Sequence, residues 1–169
     1  VDINKTSNDA LKIRLSQYQK SGSQLVFRNE DANHQIRELA HALNEKKYLR
    51  ALVLLDPFGM QLDWASIERL AHTKIDLWIL IPTGVIVNRL LDKKMELVHL
   101  DKLKSFLGMT EEEIQLEFYR IESKQTLFGE ISNIIKVGNS INRIARLYIS
   151  KLKTIFEEVS EEPLVLYNS

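Results

Sequence analysis

The stretch Leu52-Val53-Leu54-Leu55-Asp56-Pro57-Phe58-Gly59 constrains this chain more than any other. An aliphatic run of strand type stops at an acid, and a proline-aromatic-glycine turn begins. Short, nearly continuous aliphatic runs are the mark of parallel strands buried on both faces. In open α/β sheets the ligand crevice lies just beyond the carboxyl ends of such strands. Asp56 to Gly59 therefore stand where such folds do their chemistry, although an ordinary Asp-Pro turn also accounts for these four residues taken alone.

The neighbouring segments extend the pattern. Val1–Ile3 reads as the tail of a strand, Asn8–Gln19 as a helix ended by Gly22, and Leu25–Phe27 as a short strand. Asn33–Lys47 follows as a helix with Ile36, Leu39, Ala40 and Leu43 on one face. Leu49–Leu55 is the next strand, Trp64–His72 a helix capped by Asp63, and Leu77–Ile81 a further strand. Strands separated by helices of this length imply right-handed crossovers and a parallel sheet. The expected fold class is α/β: Rossmann-like, with a mostly parallel sheet, helices on both faces and a helical insertion.

After Arg89 the alternation stops. Leu90–Lys136 reads as mostly helical, with a capping box at Thr110 and Glu113. Gly138 precedes a long amphipathic helix whose basic positions Arg143, Arg146, Lys151 and Lys153 read as a solvated face. Pro163 stops that helix, and Leu164–Tyr167 reads as a last strand. The expected organisation is an α/β core over 1–91, a helical insertion over 92–137, and a long helix with a final strand over 138–169 that completes the single domain.

Composition removes several function classes. Lys+Arg and Asp+Glu are both 23, which argues against a generic nucleic-acid or membrane-surface binder, since both need excess positive charge. With no Cys there is no disulfide framework, thiolate metal site or Cys nucleophile, and a cytoplasmic location is the default. The longest apolar run, Ile75–Val87, is broken by Asp76, Pro82 and Gly84, so no membrane span is expected. His34 and His41 are placed to share a helix face, but none of the four His has metal-ligand spacing. Trp64 and Trp78 read as core residues, Trp64 also as a pocket wall.

Three expected strand ends carry acids: Asp2, Glu30-Asp31-Ala32 and Asp56. A carboxylate at such an end can accept from both ribose hydroxyls, and charged acceptors bond strongly. Val1-Asp2-Ile3-Asn4 resembles the second-strand motif of class I S-adenosylmethionine-dependent methyltransferases, and Asn29-Glu30-Asp31-Ala32 the third-strand motif. The resemblance implies that Asp2 and Ile3 meet the cofactor ribose and that Asp31 and Ala32 flank its adenine. Leu55-Asp56-Pro57-Phe58 resembles the fourth-strand motif of the amino-methylating branch, without its second Pro. That likeness implies a target amino group held by Asp56 and Pro57 and stacked on Phe58.

The same residues, with Trp64, Ile67, Ala71, Thr73, Asp76, Pro82, Gly84 and Asn88-Arg89, resemble the three-Cys-motif partner (TcmP) family. These are methyltransferase-like proteins encoded beside a radical S-adenosylmethionine protein. The resemblance implies S-adenosylmethionine as cofactor, that radical protein as partner, and a nucleic-acid or protein substrate. Arg89 is a further candidate, for an anionic ligand group, although it could equally cap a helix or pair with Asp92. The family's glycine-rich loop precedes the second-strand acid; nothing here precedes Val1 and no Gly-x-Gly occurs, so the chain reads as an internal fragment that would lack cofactor affinity by itself. Two alternatives stay open: a non-catalytic interaction partner of the radical protein, and a plain α/β scaffold whose acids are turn residues.

Overall fold

In a computed structural model of the chain, the structure describes residues 1–84, 86, 99–127 and 129–166. The elements are α1 (Lys5–Leu15), a 3-10 turn (Ser16–Tyr18), α2 (Ala32–Glu45), β1 (Ala51–Leu55), α3 (Trp64–Glu68), β2 (Ile75–Ile79), α4 (Leu100–Leu107), α5 (Glu111–Phe118), β3 (Tyr119–Thr126), β4 (Gly129–Lys136) and α6 (Ser140–Leu152). Among the described residues the chain is a mixed α/β protein with two separate two-stranded sheets. β1 and β2 pair in parallel, Ala51 opposite Ile75 through Leu55 opposite Ile79. β3 and β4 form an antiparallel hairpin, Tyr119 opposite Lys136 through Thr126 opposite Gly129. No helix among the described residues is long and apolar enough to cross a membrane.

The core lies between the helices and one face of the parallel pair. α2 contributes Ile36 and Ala40, α3 contributes Trp64 and Ile67, and α4 contributes Leu103, Phe106 and Leu107. α5 adds Ile114 and Phe118, and α6 adds Ile144 and Tyr148. Leu55, Ile75, Leu77 and Ile79 pack against this cluster from the sheet. The i, i+4 spacing of Ile36 and Ala40 on α2 and of Ile144 and Tyr148 on α6 places these side chains on one stripe of each helix, which is what a helix on a core requires.

Trp64, Tyr148 and Gly108 tie α3, α4 and α6 together. The Trp64 and Tyr148 rings meet edge-on at 5.5 Å. Gly108 caps α4 at φ +60°, with its N–H donating to the Lys104 carbonyl. A Cβ there would lie 2.8 Å from Trp64 Cβ and closer still to Cγ and Cδ1, so both the left-handed backbone and the space demand glycine. Lys151 Nζ donates to the Gly108 carbonyl at 2.9 Å and stands 4.6 Å from the Trp64 ring centre.

Tyr148 is fully buried, and its hydroxyl donates to the Phe106 carbonyl at 3.3 Å. Burial holds its phenol well above the ordinary value of 10. A group whose folded pKa is raised contributes stability that is fully present below the unfolded pKa and lost as pH rises beyond it. Above pH 10 the protein should therefore lose about 1.4 kcal/mol per pH unit that a Tyr148→Phe variant does not lose. At pH 7 that variant should be about 1 kcal/mol less stable for want of the hydrogen bond. Urea unfolding of both proteins from pH 7 to 11 should show the difference shrinking above pH 10; parallel profiles would refute it.

Several expected elements are different in the structure. Leu25–Phe27 joins no sheet, and Val1–Ile3 is likewise not a strand. The two segments touch through a single backbone bond, Asp2 N to Arg28 O at 3.1 Å, which is contact without a ladder. Of the stretch expected to be helical up to Lys136, the described residues are helical over Leu100–Leu107 and Glu111–Phe118 and not beyond. From Tyr119 a hairpin replaces the helix, because cross-strand partners such as Ser123 and Ser132, hydroxyls 2.9 Å apart, supply pairing that local periodicity does not reveal. α6 ends at Leu152, well before Pro163, and Leu164–Leu166 is exposed and forms no strand. Tyr167 lies outside the described residues.

Asp63 precedes α3 but makes no cap bond; its Oδ1 accepts from Ser105 Oγ at 2.6 Å instead. Trp78, expected in the core, points to the open face of β2. The basic face of α6 is also more than a solvated surface. Besides Lys151, Arg143 pairs with Glu117 at 3.0 Å, and Lys153 bonds Glu161 at 2.8 Å and so holds that carboxyl below its usual range.

Candidate functional site

The candidate site is the carboxyl end of the parallel pair. Leu80 N donates to Leu55 O at 2.8 Å, so the pairing continues one residue past the end of β2. The chain then leaves β1 through Asp56 and Pro57. The Asp56 carboxylate is exposed and the Phe58 ring is 88% exposed. Gly59 follows at φ +70°, a backbone region in which a side chain would be strained. An exposed carboxylate two residues from an exposed ring can accept hydrogen bonds from an amino group while the ring stacks on a planar ligand.

This turn is held from behind by a residue that the motif reading passed over. Asn33, buried on α2, donates through Nδ2 to Gln61 O at 2.7 Å and accepts at Oδ1 from Asp63 N at 2.8 Å. Both ends of its amide are used, so the return of the loop is fixed to the helix. The signal was present: Asn33 shares a stripe with Ile36, Ala40 and Leu43, and a polar side chain on an apolar stripe must find partners when buried.

Asp2 stands in a second locality, together with the 28–30 segment. Its backbone bonds Arg28, and one carboxylate oxygen accepts from Asn4 N at 2.8 Å. Buried Asn8 of α1 clasps the two segments, donating to Asp2 O at 2.9 Å and to Arg28 O at 2.7 Å and touching Asn29 Oδ1. Ile3 is exposed next to Asp2. Asp31 is the N-cap of α2, its carboxylate accepting from His34 N at 3.0 Å, and Ala32 is the first residue of that helix. Glu30, beside it, gathers Arg28 at 3.9 Å, His34 at 3.8 Å and Gln35 Nε2 at 2.5 Å. His41 pairs with Glu45 at 3.4 Å.

Asp2 and the Asn29–Ala32 motif are thus brought together by hydrogen bonds. Among the described residues no hydrogen bond or ion pair joins Asp56 to either. Arg89 lies outside the described residues. A surface depression lined by Lys153, Phe156, Glu157, Glu158, Val159 and Glu161 contains none of the predicted site residues. The chain matches no protein-family model, no curated protein and no solved structure.

Proposed function

We propose that this chain carries the core of a Rossmann-like, class I methyltransferase-like protein of the three-Cys-motif partner kind, which transfers a methyl group from S-adenosylmethionine to an amino nitrogen. The observation that carries the reading is the parallel β1–β2 pair ending in an exposed Asp56 carboxylate and an exposed Phe58 ring. In this reading the pair belongs to a mostly parallel sheet with helices on both faces.

The residues at Asp2 fit a ribose. One of its carboxylate oxygens is taken by Asn4, and the other has no donor among the described residues, as an acceptor for hydroxyls needs. When bound, S-adenosylmethionine supplies an electrophilic methyl on sulfur. Asp56 accepts from the target amino group and aims its lone pair, while Phe58 holds the plane of the substrate. Such positioning does not require Asp56 to be a strong base. The non-catalytic alternative, a partner of the radical protein that kept the fold, draws support from Asp31, whose carboxylate is already engaged as a helix cap.

Calorimetric titration of S-adenosylmethionine into the full-length protein, alone and with its radical-protein partner, tests the reading. Asp2→Ala should weaken binding by about tenfold, the scale of one charged hydrogen bond. Asp56→Ala should leave binding nearly intact and lower transfer of labelled methyl to nucleic-acid or protein acceptors by roughly 10- to 100-fold. No heat of binding in the wild type under either condition would remove the enzyme and leave the non-catalytic partner.

A further inference from the structure

The two localities of the candidate site are joined through the first turn of α2. Among the described residues, 56–60 make no hydrogen bond, so the turn that carries Asp56 and Phe58 is held by hydrogen bonds only at its ends. At one end Leu55 O accepts from Leu80 N at 2.8 Å. At the other, the two ends of the Asn33 amide take Gln61 O at 2.7 Å and Asp63 N at 2.8 Å. Leu62, between those partners, is buried, which sets the depth of the chain but not its direction. Four residues along α2, Arg37 donates to the buried Ser66 hydroxyl at 3.0 Å, so the helix holds the returning chain twice. The same turn of α2 begins at the other locality. Asp31 caps it through His34 N at 3.0 Å, and Gln35 donates to Glu30 at 2.5 Å.

From this arrangement we infer that Asn33 is a positioning residue for methyl transfer, which sets Asp56 and Phe58 against the locality of Asp2 and Ala32; the inference rests on the function proposed above. In such a transfer the acceptor nitrogen and the methyl carbon must meet at about 3–3.5 Å, and a misplacement of about 1 Å by a remote change can cost about 100-fold in rate. The residue type fits the task. A planar amide presents a donor and an acceptor side by side, as the Gln61 carbonyl and the Asp63 N–H require; a carboxylate lacks the donor, and an aliphatic side chain lacks both. Burial keeps water from competing for either bond. Asn33 acts through the loop and not on the substrate. Its loss leaves the Asp2 locality intact, because Asn8 clasps Asp2 to Arg28 independently.

The sequence has no Cys, so spin labels can be set at chosen positions. In the full-length protein, labels on Phe58→Cys and Glu38→Cys report the loop against α2, and labels on Glu38→Cys and Glu112→Cys report α2 against α5; all three positions are exposed. Asn33→Ala should broaden the first distance distribution and leave the second unchanged. It should lower transfer of labelled methyl by roughly 10- to 100-fold while the Kd for S-adenosylmethionine changes by less than about twofold. Asn33→Asp keeps the volume and the Asp63 bond but sets a carboxylate oxygen against the Gln61 carbonyl, and it should act in the same direction. A first distribution unchanged in both variants would overturn the proposal. So would broadening of both distributions, or a loss of cofactor affinity as large as the loss of transfer. The distances need no cofactor, so the two failures stay distinct. A wild type that binds no S-adenosylmethionine removes the methyl-transfer reading and the rate effect with it, whereas an unmoved loop removes only the role of Asn33.

Discussion

Trp64→Ala should lower the unfolding free energy by about 4 kcal/mol. Removal of a buried indole costs about 3–5 kcal/mol through lost transfer energy and the cavity left behind. Trp64 is 4% exposed, meets Tyr148 edge-on, and is covered by the Lys151 ammonium. Its Nε1 donates to Glu68 Oε1 at 2.6 Å, a bond that closes the short helix α3 on itself. The cation–ring contact adds about 0.5–1 kcal/mol. Domains of this size are stable by roughly 5–15 kcal/mol, so the variant should be marginal, its thermal midpoint lower by about 8–16 °C. Urea unfolding followed by far-UV circular dichroism measures this directly. A loss under about 1.5 kcal/mol would mean that α3, α4 and α6 do not meet at this ring.

Gly108→Ala should cost about 3 kcal/mol although the position is exposed. The backbone sits at φ +60°, where a side chain costs about 1–2 kcal/mol, and the new methyl would collide with the indole, adding about 1–3 kcal/mol of overpacking. The two substitutions must couple. With Trp64 already Ala, the atoms Cγ and Cδ1 that the methyl would strike most closely are gone, while the Cβ at 2.8 Å and the backbone cost remain. Gly108→Ala in the Trp64→Ala background should therefore cost less than in the wild-type background, about 2 kcal/mol. Additive losses would place the cost wholly in the backbone and refute the close approach.

The elements that could be read along the chain are those whose stabilising contacts are local. The stripe of Ile36, Ala40 and Leu43 on α2 follows from the helical period. The Thr110–Glu113 capping box is closed in both directions, Glu113 N to Thr110 Oγ1 at 3.2 Å and Thr110 N to Glu113 Oε2 at 2.8 Å, because all its atoms lie within four residues. The strands expected over 49–55 and 77–81 form over 51–55 and 75–79, and their parallel sense followed from aliphatic runs joined by a helical crossover. At the candidate site, the order strand, acid, proline, aromatic and glycine is written in consecutive residues, and it ends where a parallel strand ends.

Tertiary contact decided the rest. The aliphatic runs of β1 and β2 cannot say whether one or both faces are covered, since Leu52 and Trp78 are as apolar as Val53 and Leu77; only the packing of the helices chose the inner face. Leu25–Phe27 has the composition of a strand, yet a strand exists only through a neighbour's hydrogen bonds, and here the one bond Asp2 offers goes to Arg28, just past the segment. Tyr119–Lys136 became a hairpin because partners across the turn outweigh weak helical periodicity. Asn33, Asn8 and Lys151 reach partners 20 to 43 residues away, and such pairings arise only when the helices have packed. Local rules act over one or two turns of chain, so they reach caps, stripes and turn chemistry; which faces meet is set by burying apolar area across the whole molecule.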